Sequence, residues 1–360
     1  MTDIEQLLES QIAAGTALGA AVMLVRDGRV CLSVQAGQAE AGSALADDSI
    51  FLWLSSGKPL TAIAVARLYE QGLVRLDDRV SAYLPAFAAN GKQSITIRHL
   101  LTHRAGLHKA LAGTWDAGDW GSVIDRVRQA SLPAGFVVGQ TAAYDPGASW
   151  FILGEIIQRV TGKAFGEVMR ERIFAPCGMA DAAFAYTAGE FERLRPRLVQ
   201  YFNTAAGEAH PMRCNDWPAV ATPRPGASLR ATMREMVGFY QGLLDGKLIR
   251  RETLNLFTSA QRGRVKDLTF GGSLDWGLGI MPYNGPDVPY SFGRHVSGAA
   301  FGHGGQQSSV VFCDPQRNLV FAAAYNGLCG ERAHHRRMAD LIEAVFATAQ
   351  AVPGSDTTRA

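Results

Sequence analysis

The chain has 360 residues, 47% of them apolar, with a formal net charge of +2. That length holds one large domain or two smaller ones, with ample material for a core. The near-neutral charge and the lack of any Lys/Arg-rich run exclude nucleic acid as the implied partner. The apolar stretch Ala17 to Val25 is too short to span a bilayer, and acidic Asp3, Glu5 and Glu9 precede it instead of a basic leader. The expectation is a cytoplasmic protein with no membrane partner and no secretion signal. Five scattered cysteines, odd in number and in no CxxC spacing, predict free thiols in a reducing compartment, with neither disulfide nor metal site.

In chain order, residues 2–14 predict an amphipathic helix capped by Thr2 or Asp3, with Ile4, Leu7, Leu8 and Ile12 as its apolar stripe. Two strands follow, Ala20–Val25 and Val30–Val34, joined by the hairpin signal Asp27-Gly28. A helix runs from about Pro59 to Gln71 and stops at Gly72. The run Ile97–Gly106 predicts another helix, with His99 and His103 four apart. A zinc helix of the HExxH type needs glutamate after the first histidine; Leu100 stands there, so structural or capping roles fit these histidines better. Residues 109–143 predict loops with a short helix near 121–130. Tyr144-Asp145-Pro146-Gly147 predicts a turn, since Pro146 disfavours helix at Asp145.

Apolar helices then cover Trp150–Val160, up to Gly162, and about 165–173. The prolines of 180–226 predict long loops. Thr232 and Glu235 form a capping-box pattern opening a helix to about Leu244. The last third predicts strands at Trp276–Met281, Ser308–Cys313 and Asn318–Ala324, then a closing helix over about 332–349 and a loose tail at 351–360. Strands at both ends and helices between them predict one α+β domain over 1–350. Its antiparallel sheet is assembled from both chain ends, about 1–50 and 270–350, and flanked by helices. A mostly helical lobe spans 51–269.

Ser55-Ser56-Gly57-Lys58 carries the chemistry. The helical pattern after Lys58 places Ser55 at or just before a helix start, and a separation of three sets Ser55 and Lys58 on one face. A serine hydroxyl beside an amine is an acylation centre, because the amine can take the hydroxyl proton. With 19 serines and six lysines in the chain, chance supplies roughly 0.3 such pairs, so the pair needs company. Pro59 lacks the N–H that would bond residue 55 in a regular helix. Its ring is therefore expected to push the backbone at Ser55 off helical geometry. Ser55 lies where the chain leaves the first strands and His303 among the late strands, so both point at one seam.

The company exists in order along the chain: Ser55-x-x-Lys58, the segment Leu73 to Pro85, the string His99-Leu100-Leu101-Thr102-His103-Arg104-Ala105-Gly106-Leu107, Tyr144-Asp145-Pro146, and His303-Gly304-Gly305. Over about residues 5–347 the chain resembles the serine β-lactamase and penicillin-binding-protein superfamily. The likeness is to its branch near class C β-lactamases, family VIII-type carboxylesterases and D-aminopeptidases. The resemblance implies a β-lactamase/transpeptidase-like fold and a serine hydrolase without cofactor. Its substrate would be a small-molecule ester or amide; oligomeric state is left open.

The same resemblance implies that Ser55 is the nucleophile and that Lys58 accepts or relays its proton. Tyr144 is a second base and leaving-group acid. His303 bonds substrate or Tyr144, and the backbone N–H groups of Ser55 and Gln306 form the oxyanion hole. Gly304 and Gly305 let their strand approach substrate closely, and Pro146 is also on the substrate side. Two departures turn the expectation toward a carboxylesterase with weak or no β-lactamase activity. Pro146 stands where the family has Asn, and His303 replaces the Lys of the β-lactam-active enzymes. The alternatives are a D-amino-acid peptidase or amidase, a β-lactamase, and a non-catalytic ligand-binding member.

Overall fold

A computed structural model describes residues 2–111 and 118–351; the expected tail lies outside the described residues from 352 on. Its centre is a seven-stranded antiparallel sheet. The strand order is Ser43–Ala44, Arg29–Glu40, Gly19–Arg26, Leu319–Tyr325, Ser309–Asp314, Phe301–Gly305 and Met281–Pro282. Both chain ends therefore build it, with Gly19–Arg26 paired to Leu319–Tyr325 from Ala20↔Tyr325 to Arg26↔Leu319. The hairpin between the first two strands turns at Asp27 (φ 51°) and Gly28 (φ 70°). Two consecutive positive φ values match the right-handed twist of the strands it joins.

The central strands are apolar on both faces because both faces are covered. Ala21, Met23, Val25, Val311, Val320 and Ala322 join one core with the helical part of the chain. Ala20, Val22, Leu24, Phe312, Phe321 and Ala323 join another with the first and last helices, Asp3–Ala13 and Glu331–Ala351. Those helices follow from local rules. Thr2 and Glu5 cap the first reciprocally. The closing helix buries Met338, Leu341, Ile342, Val345 and Phe346. The Thr232–Glu235 capping box forms as expected and opens Met233–Leu244. The helix Ala148–Thr161 ends on Gly162 at φ 69°.

Three expectations need correction. The helix at Ile97 stops at Leu101, because His103 takes φ 56° and the chain turns away. His99 and His103 therefore share no helix face. His99 completes a capping box, the capping role expected of it, with its Nδ1 accepting the Thr96 N–H at 3.3 Å. Of the strand expected over Trp276–Met281, only Met281–Pro282 forms. Gly279 at φ 77° packs against Ala62, Leu101 and Trp150, where extended backbone cannot follow. The helix expected over 165–173 is α-helical for Phe165–Met169 only and widens into a π turn at Arg170–Phe174.

Candidate active site

The short strand Ile50–Leu52 pairs with Arg230–Thr232 and runs straight into a 3₁₀ turn, Leu54–Gly57, and then the helix Lys58–Glu70. Leu54 sits at φ 48°, a conformation that costs a branched residue about 1–3 kcal/mol and needs support from its surroundings. That turn presents Ser55. Ser56 faces the other way and pins the turn to the large sheet. Its Oγ bonds the His303 carbonyl at 3.2 Å and Ser309 Oγ at 2.9 Å. The backbone at Ser55 is off α-helical geometry, as expected, and Pro59 follows directly in the next helix. It occupies the first helical turn, where a missing N–H costs nothing.

Lys58 is fully buried. Its Nζ lies 2.9 Å from Ser55 Oγ, 3.0 Å from the Pro146 carbonyl and 2.6 Å from the Gly226 carbonyl. Burial lowers its pKa to about 7, against a smaller upward pull from Asp145. A neutral amine has two N–H bonds and one lone pair. With the two carbonyls taking the N–H bonds, the lone pair is left for the Ser55 hydroxyl proton. The proline at position 146 thus contributes its backbone oxygen to the lysine as well as lining the cleft.

Tyr144 is held by its backbone. Its N–H donates to Asp267 Oδ1 at 3.0 Å, and its carbonyl accepts from Thr269 Oγ1 at 2.9 Å. Asp267 is fully buried and ion-paired with Arg262 at 3.0 Å. The Tyr144 ring stands among His103 (4.6 Å between centroids), Phe270 (4.8 Å), Trp276 (5.6 Å) and His303 (6.1 Å). Burial drives the phenol pKa up, and a hydrogen bond with Ser55 opposes this in part. The group is therefore a proton donor at neutral pH.

His303 is buried on the strand Phe301–Gly305, beside this ring. Its Nδ1 lies 2.6 Å from the Gly304 carbonyl and must carry the proton, leaving Nε2 as an acceptor with no protein partner among the described residues. Burial first, and Lys58 second, lower its pKa to about 3, so it is neutral. The two following glycines have a different reason from the one expected. A Cβ on Gly304 would lie 2.0 Å from the Tyr290 ring, and one on Gly305 would lie 2.3 Å from Ser309 Oγ and 2.6 Å from the Trp53 carbonyl. Protein packing by itself excludes side chains there.

Ser55, Tyr144, Pro146 and Gln306 line one cleft of about 440 Å³, with Phe270, Tyr290 and Glu331 on its wall. Sequence reasoning missed several contributors. Asp145 accepts the N–H groups of Gly147, Ala148 and Ser149 (2.9, 2.9 and 2.7 Å), anchoring the helix that follows and supplying the buried charge near Lys58. His103 accepts the Asp145 N–H at 3.0 Å and so fixes that turn. Asp next to a helix start is a readable cap signal; the Arg262–Asp267 pair, set by the fold, left none. Among the described residues no His/Cys/Asp/Glu group could hold a metal ion, and no helix is long and apolar enough to cross a membrane.

A family model described as Beta-lactamase matches residues 4–344. The esterase EstB of Burkholderia gladioli is 32% identical over 238 residues, 59% of this chain and 57% of that protein, so the match spans little more than half of the relative. The crystal structure of a penicillin-binding protein homologue from Caulobacter crescentus superposes with a TM-score of 0.79 at 26% identity, covering 96% of each chain. That of a family VIII carboxylesterase gives 0.77 at 25% identity, covering 96% of this chain and 98% of that one.

Proposed function

This chain belongs to the Beta-lactamase family, and from that premise we propose that it is a carboxylesterase working through an acyl-enzyme on Ser55, with weak or no β-lactamase activity. One observation carries the reading: Lys58, dry and with a pKa near neutrality, holds both N–H bonds on backbone carbonyls and meets Ser55 Oγ at 2.9 Å. In this mechanism neutral Lys58 takes the hydroxyl proton as Ser55 attacks the ester carbonyl. The developing oxyanion is held by the N–H groups of Ser55 and Gln306. Tyr144 protonates the departing alcohol and is recharged from the Lys58 ammonium. Deacylation runs the steps in reverse with water in place of the alcohol: water attacks and gives its proton to Tyr144, which passes its own to Lys58, and the Lys58 ammonium returns the proton to Ser55 Oγ as the acid leaves. His303 Nε2 is buried and His303 is not on the cleft lining, so it serves as an acceptor for the Tyr144 hydroxyl and not for substrate.

The preference for esters over β-lactams rests on the two departures from the β-lactam-active pattern. Neutral His303 supplies no cation at its position and Pro146 has no side-chain amide, while the cleft wall carries both the Glu331 carboxylate and the Arg224 guanidinium. Glu331 favours a second reading, hydrolysis of D-aminoacyl amides whose free ammonium it would meet. Turnover of p-nitrophenyl acetate compared with D-alanine p-nitroanilide separates the two. Replacing Ser55 with alanine is expected to cut ester turnover by about 10⁴ or more. An unchanged rate would reduce the chain to a ligand-binding member of the family.

A further inference from the structure

A second chamber of about 310 Å³ adjoins the cleft. Leu54, Arg224 and Ala227 line both spaces, so the residue before the nucleophile forms part of the partition. Beyond it the walls are Leu52, Tyr201, Met212, Ala219 and Leu328. Arg213 and Arg224 line this chamber as well, Arg213 paired with Asp216, and the other polar groups that reach it are bonded to backbone. The Tyr201 hydroxyl donates to the Leu52 carbonyl at 2.8 Å, Ser228 Oγ to the Phe184 carbonyl at 2.6 Å, and the buried Arg230 guanidinium to the Cys214 and Ser228 carbonyls. What remains for a ligand is mostly ring face and aliphatic surface, with Arg213 and Arg224 at the margin of the apolar set.

We propose that this chamber is the acyl-chain subsite, so that the substrate is an ester whose acyl group carries an apolar arm of about six to ten carbons. The inference rests on the carboxylesterase reading. With Tyr144 protonating the leaving alcohol, that alcohol lies along the wall of Tyr144, Phe270 and Tyr290. The acyl part then lies on the other side of the cleft, whose wall includes Leu54 and Ala227, residues that the chamber shares. The size follows from volume: about 310 Å³ is twice the roughly 150 Å³ that holds one benzene. Each methylene entering the chamber is worth up to about fourfold in kcat/KM.

The test is a p-nitrophenyl ester series from acetate to decanoate, beside acetate esters of lengthening alcohols. For the wild type, kcat/KM is expected to climb at least one hundredfold from acetate to hexanoate. Ala219→Phe, which fills the chamber and leaves the cleft alone, should lower the hexanoate-to-acetate ratio at least tenfold. Met212→Ala, which enlarges it, should move the optimum one or two carbons longer. Neither should change the alcohol-length profile by more than about twofold. A flat acyl profile, unchanged ratios in both variants, or a shift in the alcohol series instead would overturn the proposal. Calorimetric binding of p-nitrophenyl hexanoate to Ser55→Ala separates this from the reading beneath it. If no ester is turned over, the esterase reading falls, and this subsite stands only if Ala219→Phe in that background weakens binding about tenfold.

Discussion

Two lysines of this protein expose no surface, and they sit in opposite surroundings. Lys92 donates to the carbonyls of Arg128 (3.0 Å) and Ala130, at the C-terminal end of the helix Trp120–Gln129. A helix C-terminus carries partial negative charge, so the ammonium there is answered. Lys58 also donates to two carbonyls, but it opens its own helix, where the partial charge is positive, and its third neighbour is a hydroxyl. Burial lowers both pKa values, and that of Lys58 falls to about 7. The two lysines share burial and a pair of backbone carbonyls and differ in the third neighbour, which at Lys58 is the Ser55 hydroxyl.

The sharpest way to break this contrast is to remove each amine. Lys58→Met is expected to lower ester kcat/KM by about 10³–10⁴ while raising stability at pH 7 by about 2 kcal/mol. Lys92→Met should leave kcat/KM within about twofold and cost about 1–3 kcal/mol, because two helix-end carbonyls lose their partner. Urea unfolding reads both, and equal losses of stability would remove the contrast. The sign for Lys58 follows from its folded pKa of about 7 against 10.5 for the free side chain. Below about pH 7 the folded state carries the full cost of a buried ammonium. Between about 7 and 10.5 the unfolded chain binds the extra proton, so stability rises with pH there. Lys58→Met should abolish that slope.

A smaller loss is expected at Tyr144. If Tyr144 protonates the leaving group as proposed, Tyr144→Phe should slow alkyl esters about 10²–10³-fold. Nitrophenyl esters, whose phenolate leaves unaided, should slow only about tenfold. Equal losses for both would assign Tyr144 a positioning role instead. The smallest effect belongs to Glu331, whose side chain is 48% exposed and whose Oε2 accepts the Tyr290 hydroxyl at 2.7 Å. Glu331→Gln should raise kcat/KM for carboxylate-bearing esters two- to threefold over neutral ones at low salt, with the gain fading by 0.5 M.

What could be read in the sequence was what short-range physics decides. The Asp27-Gly28 turn, the Thr232–Glu235 box, the Gly162 stop and the Ser55–Lys58 spacing each depend on a few neighbouring residues, and each forms as read. The antiparallel sheet from both chain ends followed from the apolar runs. The illegible parts depend on residues far apart in the chain. Gly279 breaks a strand-like run because Ala62 and Trp150 crowd it. Gly304 is a glycine because Tyr290 lies over it. Pro146 looked like a substrate-facing loss, while its carbonyl serves Lys58 across 88 residues of chain. The chamber behind Leu54 draws its walls from positions 52 to 328, a set no local pattern marks.

Whether neutral Lys58 is the base at Ser55 is read most directly from the pH dependence of Ser55 labelling by a fluorophosphonate, because fluoride leaves without needing a proton. Peptide mass spectrometry should locate the label on Ser55. The second-order rate should rise tenfold per pH unit below about 7 and level off above it, in line with the lowered lysine pKa. A rate that is flat from pH 5.5 to 8.5, or that keeps rising toward pH 10 as an ordinary lysine would dictate, would contradict it.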